Sequence, residues 1–202
     1  MRKKRLIVFI SLMILLCSFS HGLSAENGMV PSIRDTVSSE NQAFRFRNGI
    51  MWNMSPEQVD QLEQSSMEKY SSGDWSVMLT SEPVNVSRFT ADLIFMFKDN
   101  TLQMITYEFQ SDGSTLNYQY LTGALCSVYG QNKTAEPALI KGLMDKIYPG
   151  RFDIKLITNP FSWAHEDGTL VLQYYYSSDR YAILYANPDI LKNHNGYETE
   201  GL

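Results

Sequence analysis

The sequence has few of the residues that usually carry catalysis or bind metals. Its 202 residues include two cysteines and three histidines. Only His165 and His194 lie beyond the first 25 residues, and they are too far apart to form a local ligand pair. The sequence contains neither a glycine-rich phosphate loop nor a serine in a G-x-S-x-G context. We therefore predict no metal or other cofactor.

Positive charge is also scarce once the first 25 residues are set aside. That segment holds four basic residues, Arg2 to Arg5, and no acid. The rest of the chain has 13 Lys and Arg (17 less those four) against 22 Asp and Glu, a net charge of 13 − 22 = −9. A general nucleic-acid binder needs a basic face for its phosphate contacts, so we predict no such partner. The aromatic fraction, 12%, is too high for a disordered chain.

Residues 1–25 have the three parts of a secretory signal peptide. A basic start is followed by an apolar run from Leu6 to Leu16, and Leu23-Ser24-Ala25 places a small residue at the cleavage position. We predict cleavage between Ala25 and Glu26, with the product secreted or held in the cell envelope. The apolar run is shorter than the roughly 20 residues of a spanning helix, which disfavours an uncleaved anchor. The bulky Leu16 before Cys17 disfavours lipidation.

Cleavage would leave Cys126 without a cysteine partner in its own chain, so we predict no intramolecular disulfide. Cys126 lies in an apolar helical stretch and is interpreted as a buried small hydrophobe. A reactive thiol and an intermolecular bridge are the alternatives.

Composition divides the mature chain into a polar leader (26–43), one domain (44–188) and a polar tail (189–202). Within the domain, Ser55-Pro56-Glu57-Gln58 predicts a capping box that opens a helix through about Met67.

Three strand segments follow the first helix, at 75–81, 86–97 and 102–109. Asp99-Asn100 is a typical two-residue hairpin turn between the last two of them. Pairing across this turn sets Phe97 opposite Leu102 and Phe95 opposite Met104.

The second half of the domain begins with two helical stretches. After Asp112-Gly113-Ser114, five apolar residues recur at helical spacing, namely Leu116, Tyr120, Leu121, Leu125 and Val128. The next stretch, 134–148, has an inner face of Leu139, Ile140, Leu143, Met144 and Ile147.

A second set of strands follows the two helical stretches. Residues 152–157 alternate weakly and suggest a strand. Asp167-Gly168 and the 177–180 turn then join three further strands that end at Ala186. Their alternation assigns Phe161, Trp163, Leu170, Leu172, Tyr174, Tyr176, Tyr181, Ile183 and Tyr185 to an apolar face. The same alternation assigns Ser162, Glu166, Thr169, Gln173 and Tyr175 to a polar face.

This order predicts an α+β fold, an antiparallel meander sheet with helices packed on one face. The order is also compatible with two diverged helix-plus-three-strand units, 44–111 and 112–188.

The segment from Phe46 to Val59 resembles the F-R-N-G-I-x-W-x-M-[ST]-x-x-x-V opening of small uncharacterised secreted proteins that are common in gut Firmicutes. The resemblance extends to about Pro188 and includes Trp163 and the Glu166–Leu170 segment. More distantly, the Trp-x-Met-Ser entry into a helix is similar to BamE and β-lactamase-inhibitor-protein-like modules. These modules are non-catalytic and bind other proteins, so the resemblance implies a protein-binding domain.

The sequence thus favours an exported, non-catalytic protein-binding or envelope-associated module with a protein partner at the cell surface or outside the cell. The binding candidates are Tyr175, on the predicted polar face, and Trp75, which follows a Gly-Asp loop. The alternative is a hydrolase of an extracellular polymer that uses two carboxylates not identifiable from sequence. Asp99, Asp112, Asp167 and Asp179 are each interpreted as turn or helix-start residues.

Overall fold

The computed structural model describes residues 43–192, so the predicted signal peptide and cleavage site, nearly all of the leader and the end of the tail lie outside the described residues. The helices are α1 (Pro56–Leu62), α2 (Leu116–Tyr129), α3 (Pro137–Asp145) and α4 (Pro188–Lys192). The strands are β1 (Met67–Ser72), β2 (Trp75–Thr80), β3 (Val84–Val86), β4 (Phe89–Lys98), β5 (Thr101–Gln110), β6 (Lys133–Thr134), β7 (Thr158–Ala164), β8 (Leu170–Tyr175) and β9 (Arg180–Ala186). Two 3-10 helices cover Arg47–Gly49 and Ile154–Leu156.

The nine strands form an antiparallel sheet in the order β1-β2-β4-β5-β9-β8-β7-β6, with β3 paired to β4. Each half of the domain starts with a helix, α1 or α2, and ends with the central strand β5 or β9. These two strands pair with each other, for example Tyr107 with Ile183, so the halves share one continuous sheet. The predicted α+β class with an antiparallel sheet is confirmed.

Both faces of the sheet are covered by helices, whereas we expected helices on one face. The first core contains Val59 of α1 and Tyr118, Leu121 and Leu125 of α2. The second core contains Ile140, Leu143 and Met144 of α3 and Ile190 of α4. Alternate residues along β4, such as Phe95 and Met96, belong to opposite cores. The sheet is therefore an internal layer with apolar side chains on both sides.

The hairpin between β4 and β5 turns at Asp99 and Asn100 as predicted, and Phe97 lies opposite Leu102. Beyond that pair the register differs, because Phe95 lies opposite Ile105 rather than Met104. Gln103 is an extra residue in β5, a β-bulge that shifts all later side chains by one position. The backbone N–H of Asn187 donates a hydrogen bond to the carbonyl oxygen of Gln103 at 2.9 Å, which holds the bulge in place.

The first helix is shorter than predicted. The Ser55–Gln58 capping box is present, but α1 ends at Leu62. Residues 63–66, which were expected to be helical, lie outside α1. Strand β1, which we did not predict, begins at Met67 and pairs with β2 along its whole length. In the second half, residues 154–156 form a 3-10 turn in place of the expected strand. Helix α4 extends the ordered domain past Pro188, with Ile190 buried in the second core.

Candidate functional site

The structure buries both residues that the sequence suggested for binding. Trp75 is 3% exposed and packs in the second core. Tyr175 is 8% exposed and stacks on Tyr118 of α2, with the ring centroids 4.5 Å apart. Both rings are therefore largely covered, whereas a binding role was predicted from an expected surface position.

Gln173 explains why the face of β8 that we predicted to be polar and exposed is buried. Its side chain is fully buried, donates to the carbonyl of Tyr118 at 3.0 Å and accepts from the hydroxyl of Thr122 at 2.7 Å. A polar residue in this strand thus binds helix α2 instead of water. Because α2 covers this face, Tyr175 is covered with it. Sequence alternation cannot distinguish a glutamine that faces water from one that binds a helix.

The motif that carries the family resemblance is used to build the fold. Asn48 and Asn53 adopt positive φ angles of 57° and 64°, which asparagine tolerates better than most residues. Arg47 forms an ion pair with the buried carboxylate of Glu63 at 3.1 Å. Trp52 donates its indole N–H to Thr169 at 2.7 Å. These contacts shape the entry to α1.

Cys126 and His165 also have structural surroundings. Cys126 is partly buried against the first core. His165 is only partly exposed, and its Nδ1 lies 2.8 Å from a carboxylate oxygen of Asp167. Within residues 43–192, no group of three or more His, Cys, Asp or Glu side chains is arranged to hold a metal ion.

Helix α2 exposes large apolar side chains. Leu116 is 70% exposed, Val128 71% and Tyr120 44%, so three of the five residues at the predicted spacing point away from the sheet. Tyr118, Leu121 and Leu125 pack inward instead. The helix contains no charged residue. We call the exposed side the α2 outer face, formed by Leu116, Gln119, Tyr120, Gly123, Ala124, Ser127 and Val128.

A cleft of about 380 Å³ opens beside the start of this helix. Strand β4 begins at Phe89 and β5 runs to Gln110, but their cross-strand pairing begins only at Asp92 and Glu108. The ends of the two strands, which pair with β3 and β9 instead of with each other, border the cleft, with Asn117 of α2 on another side. The cleft is contiguous with the α2 outer face, because the Arg88 guanidinium lies over the Tyr120 ring at 4.1 Å.

Two acidic residues, Asp92 and Glu108, are among those that border this cleft. Their side chains leave the strands on the face opposite α2, because the adjacent residues Leu93 and Phe109 belong to the first core. Asp92 and Glu108 are direct cross-strand neighbours, and a guanidinium nitrogen of Arg180 lies 3.7 Å and 3.8 Å from them. The hydroxyl of Tyr176 donates to Glu108 at 2.9 Å.

The two carboxyl groups have unequal surroundings. Burial raises the pKa of Glu108, and this effect outweighs the opposing hydrogen bond from Tyr176 and the nearby charge of Arg180. The neighbouring Asp92 raises it further. The side chain of Asp92 is 40% exposed, whereas that of Glu108 is 17% exposed. A carboxyl group whose pKa is raised by burial thus stands beside a more solvated carboxyl group.

None of the helices within residues 43–192 is long and apolar enough to cross a membrane.

No protein-family model, curated protein or solved structure matches the chain.

Proposed function

We propose that this chain is an exported, non-catalytic protein-binding domain, secreted or held at the cell envelope, that contacts its partner through the α2 outer face. The supporting observation is the exposure of Leu116, Tyr120 and Val128 on a helix without any charge. A helix on the surface of a monomer usually turns charged residues to water. Contiguous exposed apolar side chains are instead typical of interaction surfaces.

The cleft beside α2 suits the same role. Tyr120 and Phe89 are in edge-to-face contact at 5.6 Å, and Arg88 stacks on both rings, so the aromatic surface continues from the helix to the cleft border. Interfaces concentrate their binding energy where an apolar anchor enters a pocket surrounded by aromatic and Arg side chains. The partner is thus expected to cover the α2 outer face and to place one side chain in the cleft.

Affinity capture tests this proposal. Residues 26–202 serve as bait against the envelope and culture fluid of the producing cell, with prey identified by mass spectrometry. Leu116→Glu and Val128→Glu each place a charge on the α2 outer face at a well-exposed position, so both variants should fold. Leu156→Glu is the matched control, because Leu156 is 51% exposed and its neighbour Ile157 packs in the opposite core.

We expect one dominant prey that is captured by the wild-type chain and by Leu156→Glu and is lost with the two α2 variants. Thermal unfolding of each variant checks that the fold is retained. A prey list that is the same for all four baits, or an empty one, would contradict binding of a different protein through this face.

A second candidate function is hydrolysis of an extracellular polymer, and the juxtaposition of Asp92 and Glu108 on neighbouring strands favours it. Directly opposed residues in antiparallel strands have Cβ atoms about 4.5–5.5 Å apart. Glycosidases that retain configuration hold their two carboxyl groups at about 5–5.5 Å. Protonated Glu108 would donate its proton to the leaving oxygen while Asp92 bonds to the anomeric carbon. Water, deprotonated by Glu108, would then displace Asp92.

Release of reducing ends from a panel of polysaccharides tests the second candidate. We expect release by the wild-type chain, loss of release with Glu108→Gln and Asp92→Asn, and no loss with Asp60→Asn, an exposed acid outside the cleft. Absence of release from every polymer would count against this candidate. Release that persists in both cleft variants would identify a contaminating enzyme.

A further inference from the structure

We propose that the partner on the α2 outer face is a second copy of this chain and that two copies form an antiparallel helix pair with two-fold symmetry. This inference rests on the proposed function, because it names the partner of the same face.

The distribution of charge favours a second copy. The mature sequence has a net charge of 13 − 22 = −9, so two copies repel each other over most approaches. Helix α2 has no charged residue along its 14 positions. Contact between two α2 outer faces therefore brings no like charges of the two helices together. Repulsion between like charges disfavours contact between two copies through most of the surface, and the uncharged α2 outer face does not add to this repulsion.

The spacing of side chains along α2 is self-complementary. A symmetric dimer requires each contact to occur twice with the roles exchanged. An antiparallel pair with its axis near Thr122 sets Leu116 opposite Val128 of the second copy, and Tyr120 opposite Ala124 of the second copy. Each large ring thus meets a small residue, and Gly123, close to the axis, lets the helices approach closely.

The contact area sets the expected strength of the dimer. A 14-residue helix is about 21 Å long at 1.5 Å per residue. Helices pack at about 8–10 Å between axes, so the shared strip is narrow. We expect such a strip to bury less than the roughly 1,200–2,000 Å² of a standard interface. We therefore expect a weak, reversible dimer whose population rises with concentration.

Gly123 provides a substitution that tests the interface without harming the fold. A Cβ added there meets no atom within 4 Å, and the backbone is helical rather than left-handed. Replacing glycine in a helix also removes a conformational-entropy cost. Gly123→Arg should therefore fold at least as well as the wild-type chain, while it places charge and bulk near the dimer axis.

Sedimentation equilibrium of residues 26–202 over a wide concentration series is the primary measurement. We expect the apparent mass of the wild-type chain to rise toward twice the monomer mass, and that of Gly123→Arg to stay at the monomer value. Gly123→Ala and Leu156→Arg are the controls and should dimerise. Gly123→Ala removes the glycine without placing a long charged side chain on the α2 outer face. Leu156→Arg adds the same charge at a position outside that face.

Mixing Gly123→Arg with Gly123→Glu gives a stricter test. Position 123 of each copy lies near the two-fold axis, so opposite charges meet there in the mixture and like charges meet in each pure variant. We expect the mixture to recover dimers that neither variant forms alone. Recovery would place the α2 helices against each other, which a loss of dimer alone does not do.

Three outcomes would overturn the inference: a wild-type chain that is monomeric throughout, a dimer unaffected by Gly123→Arg, or a variant mixture that stays monomeric. Its failure is distinguishable from that of the proposed function. A monomeric wild type with a captured prey that is lost in Leu116→Glu would reject self-association and leave the binding face in place. A Gly123→Arg-sensitive dimer without other prey would identify the second copy as the protein bound.

Discussion

The indole N–H of Trp52 donates a hydrogen bond to the hydroxyl of Thr169, 2.7 Å away, although 117 positions of sequence separate the two residues. Two residues before Thr169, Asp167 accepts the backbone N–H of Phe44 at 2.8 Å. The segment that precedes α1 is therefore fastened to the turn between β7 and β8. Because the N-terminal segment of the first half is held by residues of the second half, we expect the two halves to unfold together.

Trp52→Phe tests this fastening. The substitution keeps an aromatic ring and removes the indole N–H, which leaves the buried Thr169 hydroxyl without that donor. We expect the free energy of unfolding to fall by about 1–2 kcal/mol, measured by urea denaturation. Thr169→Val in the Trp52→Phe background should cost little more, since the hydrogen bond is already lost. Additive effects of the two substitutions would show that this contact is unimportant.

Glu63→Gln should be among the more destabilising single changes near α1. The Glu63 side chain is fully buried, pairs with Arg47 and accepts from the hydroxyl of Ser65 at 3.0 Å. Loss of its charge leaves Arg47 partly buried without a counterion, and we expect a cost of about 2–3 kcal/mol. Asp60→Asn, which breaks the exposed Asp60–Lys69 pair, should cost less than about 1 kcal/mol. Equal effects in denaturant titrations would contradict this assignment.

The β4–β5 turn should respond in opposite directions to two substitutions at one position. Asn100 has a φ of 61° and Asp99 a φ of 50°, as a type I′ hairpin turn requires. Asn100→Gly should preserve or raise the melting temperature, because glycine adopts this conformation without steric cost. Asn100→Val should lower stability by about 1–2 kcal/mol, because a β-branched residue resists a positive φ.

The pH dependence of stability should show opposite signs for two carboxyl groups. Burial raises the pKa of Glu108 above its ordinary 4.5 in the folded state, so its contribution is favourable at low pH and is lost as the pH rises through the folded pKa. We expect Glu108→Gln to gain stability relative to the wild-type chain as the pH rises from about 4.5 toward neutrality.

Asp167 should behave in the reverse way. Burial raises its pKa, but hydrogen bonds from the backbone N–H groups of Thr169 and Phe44 lower it more, so the net pKa lies below 3.8. Its stabilisation is present above pH 3.8 and is lost as the pH falls through the folded pKa. The stability advantage of the wild-type chain over Asp167→Asn should shrink in acid. Parallel pH profiles for both variants in urea titrations would contradict the two assignments.

Local features of the fold could be predicted from the sequence. The Ser55–Gln58 capping box, the Asp99-Asn100 turn and the inward residues of α3 each depend on neighbours within a few positions. In these cases the side chain and the backbone group that it satisfies lie close together in the chain, so residue type is sufficient.

Long-range packing produced the differences from prediction. Strand β1 has a polar sequence with no apolar alternation and forms because β2 offers it a partner. The bulge at Gln103 depends on a hydrogen bond from Asn187, far along the chain. Neither contact leaves a periodic signal in the local sequence, so neither β1 nor the bulge could be predicted from it.

The sequence by itself determined the class of fold, the positions of the main turns and the charge-free composition of α2, since each depends on local propensity or on residue type alone. Tertiary structure decided which residues are exposed. It covered Trp75 and Tyr175, turned Leu116 and Val128 toward water and brought Asp92 beside Glu108. The physical reason is that α2 is apolar on several sides. Only its docking on the sheet, through Gln173 and Tyr118, determines which of those sides remains exposed.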